Sequence, residues 1–140
     1  MKKFELSSEF VTFLGKKLFR IKALVAFGDI KEGEFGGFVE KEENLDQSGD
    51  AWVYGNAWVY GNAWVQCCRD YSATSCFGSE NRTTTFFRTK DNGISVRCGC
   101  FYGTLEEFRE KVKERHGDSR LAKEYLMLAD LMEFRLSKDE

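Results

Sequence analysis

The chain has 140 residues, a formal net charge of −2, 42% hydrophobic and 31% charged residues, and no proline. That length builds one compact domain, or two very small units sharing a core. No apolar run reaches the ~18 residues of a membrane span, and MKKFELSSEF lacks the apolar segment of a secretory signal, so a cytoplasmic chain without a membrane partner is expected.

Residues 3–30 read as strands. Phe10–Leu14 and Lys17–Leu24, joined through Gly15-Lys16, predict a hairpin. In its second arm Leu18, Arg20 and Lys22 alternate with Phe19, Ile21 and Ala23, the period of a half-buried strand. Gly28, Gly33, Gly36 and Gly37 then punctuate a segment that reads as turn-rich. Charge is segregated along this half. Lys2, Lys3, Lys16, Lys17, Arg20 and Lys22 give way to the acids Asp29, Glu32, Glu34, Glu40, Glu42, Glu43, Asp46 and Asp50. Such polarity steers partners, although a mixed solvated surface has the same composition.

Residues 49–66 read GDAWVYGNAWVYGNAWVQ, one hexapeptide written three times. Ala and Val sit two apart, so in extended chain Ala51, Val53, Ala57, Val59, Ala63 and Val65 face one side and Trp52, Trp58 and Trp64 the other. Gly followed by Asp or Asn marks a turn every six residues. Short strands and tight turns at this period predict a β-solenoid. Stepping back by six from Ala51 gives Leu45 and Val39, so the register begins near Val39. Fewer than two coils cannot cover their own ends. Flanking segments must cap them, or copies of the chain must pack together. Three outward tryptophans favour an oligomer of two or three chains, or burial under the C-terminal part.

Beyond Gln66, Arg82–Arg88 is β-rich, Lys90-Asp91-Asn92-Gly93 is a hairpin turn, and Ile94–Phe101 is the returning strand. Thr104-Leu105-Glu106-Glu107 is a capping box opening a helix to about Arg115, closed by His116-Gly117. Asp118 or Ser119 caps a second helix reaching about Leu136, with Leu121, Ala122, Tyr125, Leu128, Ala129, Met132 and Leu136 on its apolar stripe. The tail thus reads as a ββαα unit.

The repeats resemble left-handed parallel β-helix proteins of the hexapeptide class. The order of parts, GGFVEKEENL, then GNAWVYGNAWV, then TTFFRTKDNGISVRCGCFYGTLEEFREKVKERHGDS, is similar to a family of small phage and prophage proteins. That resemblance implies life in a host cytoplasm and a role against a host enzyme or defence system, anti-CRISPR activity included.

Hexapeptide acyltransferases use a histidine base, as the resemblance to that class implies, because the acceptor must be deprotonated near neutral pH. The single histidine, His116, falls at a helix end outside the repeats, so no catalytic residue and no enzyme is expected. Cys67-Cys68, Cys76 and Cys98-x-Cys100 depart from the C-x2-C knuckle of zinc sites and read as reduced, buried thiols, with neither metal nor cofactor. Arg82, Arg88 and Arg97, interleaved with Phe86 and Phe87, are candidates for gripping an anion. The acidic net charge argues against general nucleic-acid binding.

The expectation is therefore an α+β chain: a β-rich cap over 1–37, a very short hexapeptide β-helix over 38–66, and a ββαα unit over 67–140. The function expected is non-enzymatic inhibition of a host protein by a homo-oligomer. Trp52, Trp58, Trp64, Tyr54 and Tyr60 are the interface candidates, and Glu40, Glu42, Glu43 and Asp46 an acidic partner surface. The competing class is an oligomeric sponge for a small nucleotide-like ligand held between protomers by Tyr54, Tyr60 and the arginines.

Overall fold

A computed structural model describes residues 2–67, 69–77, 82–98 and 101–137; Cys68 and Cys100, and the side chains of Cys76 and Arg82, lie outside the described residues. The architecture is α+β, with a β-rich N-terminal part and C-terminal helices. Among the described residues the strands form two four-stranded sheets, ordered β1-β2-β3-β4 and β5-β6-β7-β8.

The first sheet starts with a hairpin of β1 (Phe4–Phe13) and β2 (Lys16–Ala23). Its turn is Leu14-Gly15, both at positive φ, one residue earlier than the sequence suggests. Strand β3 (Phe35–Val39) pairs antiparallel with β2. Here the structure corrects the expected turn: Gly36 and Gly37 are strand residues. A Cβ on Gly36 would lie 2.5 Å from the Val53 carbonyl oxygen, and one on Gly37 would lie 2.7 Å from that of Ala57. Glycine is needed there so that β3 can lie directly against the repeats.

The pairing then becomes parallel. Strand β4 (Trp58–Val59) aligns Phe38 with Trp58 and Val39 with Val59, and an isolated bridge aligns Leu45 with Val65. Each pair joins residues twenty positions apart. Gly49, Gly55 and Gly61 turn the chain at positive φ between the repeats. Ala51, Val53, Ala57, Val59, Ala63 and Val65 are fully buried, with Val39 and Leu45 among them. Buried Asn44 ties the layers by donating from Nδ2 to the carbonyls of Gly61 and Ala63, at 3.1 Å each. The inward Ala/Val row is what alternation in the sequence requires.

The second sheet holds β5 (Tyr71–Phe77), β6 (Arg82–Arg88), β7 (Ile94–Cys98) and β8 (Phe101–Thr104), all antiparallel. The expected ββαα unit is thus ββββαα. Helix α1 (Leu105–His116) opens with the expected capping box: Glu107 N donates to Thr104 Oγ1 at 3.1 Å, and Thr104 N to Glu107 Oε1 at 2.8 Å. Ser119, not Asp118, caps α2 (Arg120–Leu136).

Neighbouring residues of β6 divide the molecule. Phe87 joins the core of the repeats, while Phe86 joins the helical core with Val96, Phe108 and Tyr125. The second sheet therefore lies between repeats and helices, each face buried for a different reason. Among the described residues no helix is long and apolar enough to cross a membrane.

Candidate functional site

The loop after β3 turns sharply at Glu42–Asn44, a single 3-10 turn. Asn44 points inward and Leu45 pairs with Val65, so Glu42 and Glu43 are left on the outer side. Asp46 accepts from the backbone N and the hydroxyl of Ser48, at 3.0 Å each. Gln47 accepts from Lys3 N at 2.7 Å and Phe4 N at 3.1 Å, which fastens the loop to the start of β1. Trp64 is held at its backbone, donating to the Arg88 carbonyl at 2.9 Å, while its ring stays 44% exposed. Together Glu42, Glu43, Leu45, Asp46, Gln47 and Trp64 line a shallow groove of about 390 Å³.

Three carboxylates and an open indole thus share one concavity, with lysines on its rim. Lys2 reaches Glu42 at 2.9 Å, Lys90 reaches Glu43 at 3.1 Å, and Lys41 lies 3.7 Å from Glu43. The hydrogen bond from Lys90 holds the Glu43 carboxyl below its usual range. These pairs are exposed, and such pairs contribute only about 0–1 kcal/mol. Buried beneath, Lys3 donates from Nζ to the Ala51 carbonyl at 2.6 Å and lies 4.9 Å from the Phe27 ring centroid. Burial lowers its pKa, against the pull of Asp46 and Asp50.

The other expected site residues scatter. Glu40 is a structural anchor, accepting from Gly61 N at 2.8 Å. Trp52 is corrected from partner surface to internal packing: it is 2% exposed, with Phe4 and Phe27 edge-on at 6.5 and 5.4 Å. Trp58 is half-buried, with the Arg97 guanidinium 3.6 Å from its ring centroid and Phe13 at 5.3 Å. Tyr60 packs between Phe13 and Phe87, and burial pushes its phenol up to about 12. Tyr54 is exposed.

Arg88 and Arg97 do not converge on one site. Arg88 is buried, donating to the Leu136 carbonyl and, at 2.7 Å, to Asn92 Oδ1, with Asp70 at 3.9 Å. It fastens the end of α2 to the sheet and is corrected from ligand candidate to structural ion. Arg97 is committed to Trp58, and the side chain of Arg82 lies outside the described residues. His116 ends α1 and stacks on Tyr125 at 5.6 Å. Cys98 accepts from Thr84 Oγ1 at 3.2 Å. Among the described residues no group of three His, Cys, Asp or Glu side chains is placed to hold a metal ion.

Sequence reasoning missed Gln47, Lys3 and the aromatics Phe13 and Tyr102, which meet at 5.5 Å. Their roles depend on segments distant in the chain, and nothing local marks them. No protein-family model matches the chain, and no curated protein matches it.

Proposed function

We propose that the chain is a non-catalytic, homo-oligomeric interaction protein that docks a basic surface of a partner protein in the groove beside Trp64. One observation carries this reading: an exposed indole and three carboxylates line a single concavity beside a hydrogen-bonded turn. Tryptophan supplies the anchoring area of interface hot spots, and carboxylates select a cationic partner. The sequence resemblance to phage proteins points to a host or defence enzyme whose nucleic-acid-binding surface is basic. The inward Ala/Val row and the parallel pairing of Val39 with Val59 and Leu45 with Val65 support a single short solenoid coil as the frame of the groove, its twenty-residue offset two longer than three hexapeptides. The ligand-sponge reading has less support, because Arg88 and Arg97 are already engaged within the chain.

The test is capture from host extract by the immobilised chain. The wild type is expected to retain a discrete partner at low salt and release it at high salt. A Glu42→Lys, Glu43→Lys, Trp64→Ser variant, folded by circular dichroism, is expected to lose that partner. Equal retention by both overturns the reading.

A further inference from the structure

Helix α2 carries a second apolar row, on the side away from the core. Met127, Leu131 and Phe134 are 71%, 55% and 80% exposed. Their spacing of four and then three places them on one stripe of the helix. The inner stripe, Ala122, Tyr125, Leu128, Ala129, Met132 and Leu136, is already buried. Beside the outer row, Arg120, Lys123, Glu124, Met127, Leu128 and Leu131 line a groove of about 440 Å³. The groove runs from Arg120 to Leu131, over roughly the N-terminal two thirds of the helix, and the exposed Phe134 lies beyond it near the C-terminal end. A knob and a hole on one face, at opposite ends, fit a second copy running antiparallel. An isologous two-fold contact requires that reciprocity.

We propose that two copies of this chain pair through antiparallel α2 helices, with Met127 on the two-fold axis. In this register Phe134 of each copy enters the groove of the other, against Arg120. Its ring covers the arginine stem and faces the guanidinium, an attractive cation–π geometry. Lys123 and Asp130 lie on the same flank of the helix, and flanks of like side meet in an antiparallel pair. Lys123 of one copy therefore stands within about a 1.5 Å stagger of Asp130 of the other, one helical rise. Asp130 already accepts from Arg109 at 2.9 Å, and a carboxylate has room for a second donor. A parallel pairing would set the knobs side by side and leave both grooves empty. This seam deepens the homo-oligomer of the proposed function and rests on that reading; it is separate from the Trp64 groove.

The experiment is light scattering after size exclusion at about 100 µM, combined with disulfide trapping. The wild type is expected at twice the chain mass. Phe134→Glu is expected to halve that mass with its circular dichroism unchanged, and Phe134→Ser is the milder second variant. Met127→Cys is expected to form a covalent dimer on oxidation, beyond any formed by the native thiols. Glu110→Cys, exposed on α1, is expected to form none. A wild-type oligomer that survives Phe134→Glu and does not cross-link at Met127→Cys overturns the α2 seam and leaves homo-oligomerisation standing. A monomeric wild type overturns both.

Discussion

The guanidinium carbon of Arg97 lies 3.6 Å from the centroid of the Trp58 ring. Arg97 comes from β7 of the second sheet and Trp58 from β4 of the first, so this stack closes the seam between the sheets. Phe13 and Tyr102 extend the same contact outward. A second link lies beside it: Trp58 N donates to Thr85 Oγ1 at 3.2 Å.

Removing the cation is expected to loosen this seam. Cation–π stacks contribute about 0.5–1 kcal/mol when exposed and about 2 kcal/mol when desolvated; for this half-buried pair Arg97→Ala should lower the urea midpoint by an amount between those limits and shift tryptophan emission to the red. Arg97→Lys should recover only part of the loss, because an ammonium lacks the planar stacking face. An unchanged midpoint for Arg97→Ala would refute the seam.

Trp52 and Trp64 are predicted to behave differently despite near-identical surroundings in the sequence. Trp52→Ala empties a site enclosed by Phe4 and Phe27 and should cost about 3–5 kcal/mol. Trp64→Ala removes a ring that is 44% exposed, and exposed substitutions usually stay within about 0.5 kcal/mol. Denaturant unfolding of the two variants side by side decides this. Equal losses would contradict the burial pattern.

Alkaline pH should weaken the fold through Tyr60. Its folded pKa, pushed up to about 12 by burial, exceeds the ordinary 10.0. The stability this contributes is fully present below about pH 10 and is lost as pH rises through about 12. Tyr71, raised mainly by burial, acts in the same sense. Lys3 acts oppositely: its folded pKa lies below the ordinary 10.5, so its window favours the fold as pH rises. Comparing the wild type with Tyr60→Phe cancels the other two. The variant should lose stability less steeply above pH 10, by at most about 1.4 kcal/mol per pH unit, and less because Tyr60 is only partly buried. Parallel curves in urea titrations from pH 9 to 12 would rule the effect out.

Two expectations from sequence failed for physical reasons. Strand β5, YSATSCF, and strand β8, FYGT, mix small and polar residues without an apolar period. They are strands because β6 and β7 offer them edges to pair with. Gly36-Gly37 reads as a turn by composition, yet those residues extend along the repeats because only a missing Cβ allows that approach. Of the candidate site, the acids and Trp64 were legible as separate features. Their meeting in one groove was not, because it depends on the parallel bridge from Leu45 to Val65.

Local chemistry in the sequence by itself determined the inward Ala/Val row, the glycine turns of the repeats, the Thr104 capping box and the apolar stripe of α2. Each follows from the period of side-chain direction or from a hydrogen bond a few residues long. The tertiary structure alone decided what happens to the tryptophans. Three near-identical hexapeptides end with one ring sealed, one half-covered under Arg97 and one open beside carboxylates. A ring pointing away from its own strand has its environment set by whichever distant segment crosses over it. Phe4 and Phe27 cross over Trp52, and Arg97 and Phe13 over Trp58. Trp64 stands beside the Glu42–Asp46 turn, where a groove is left.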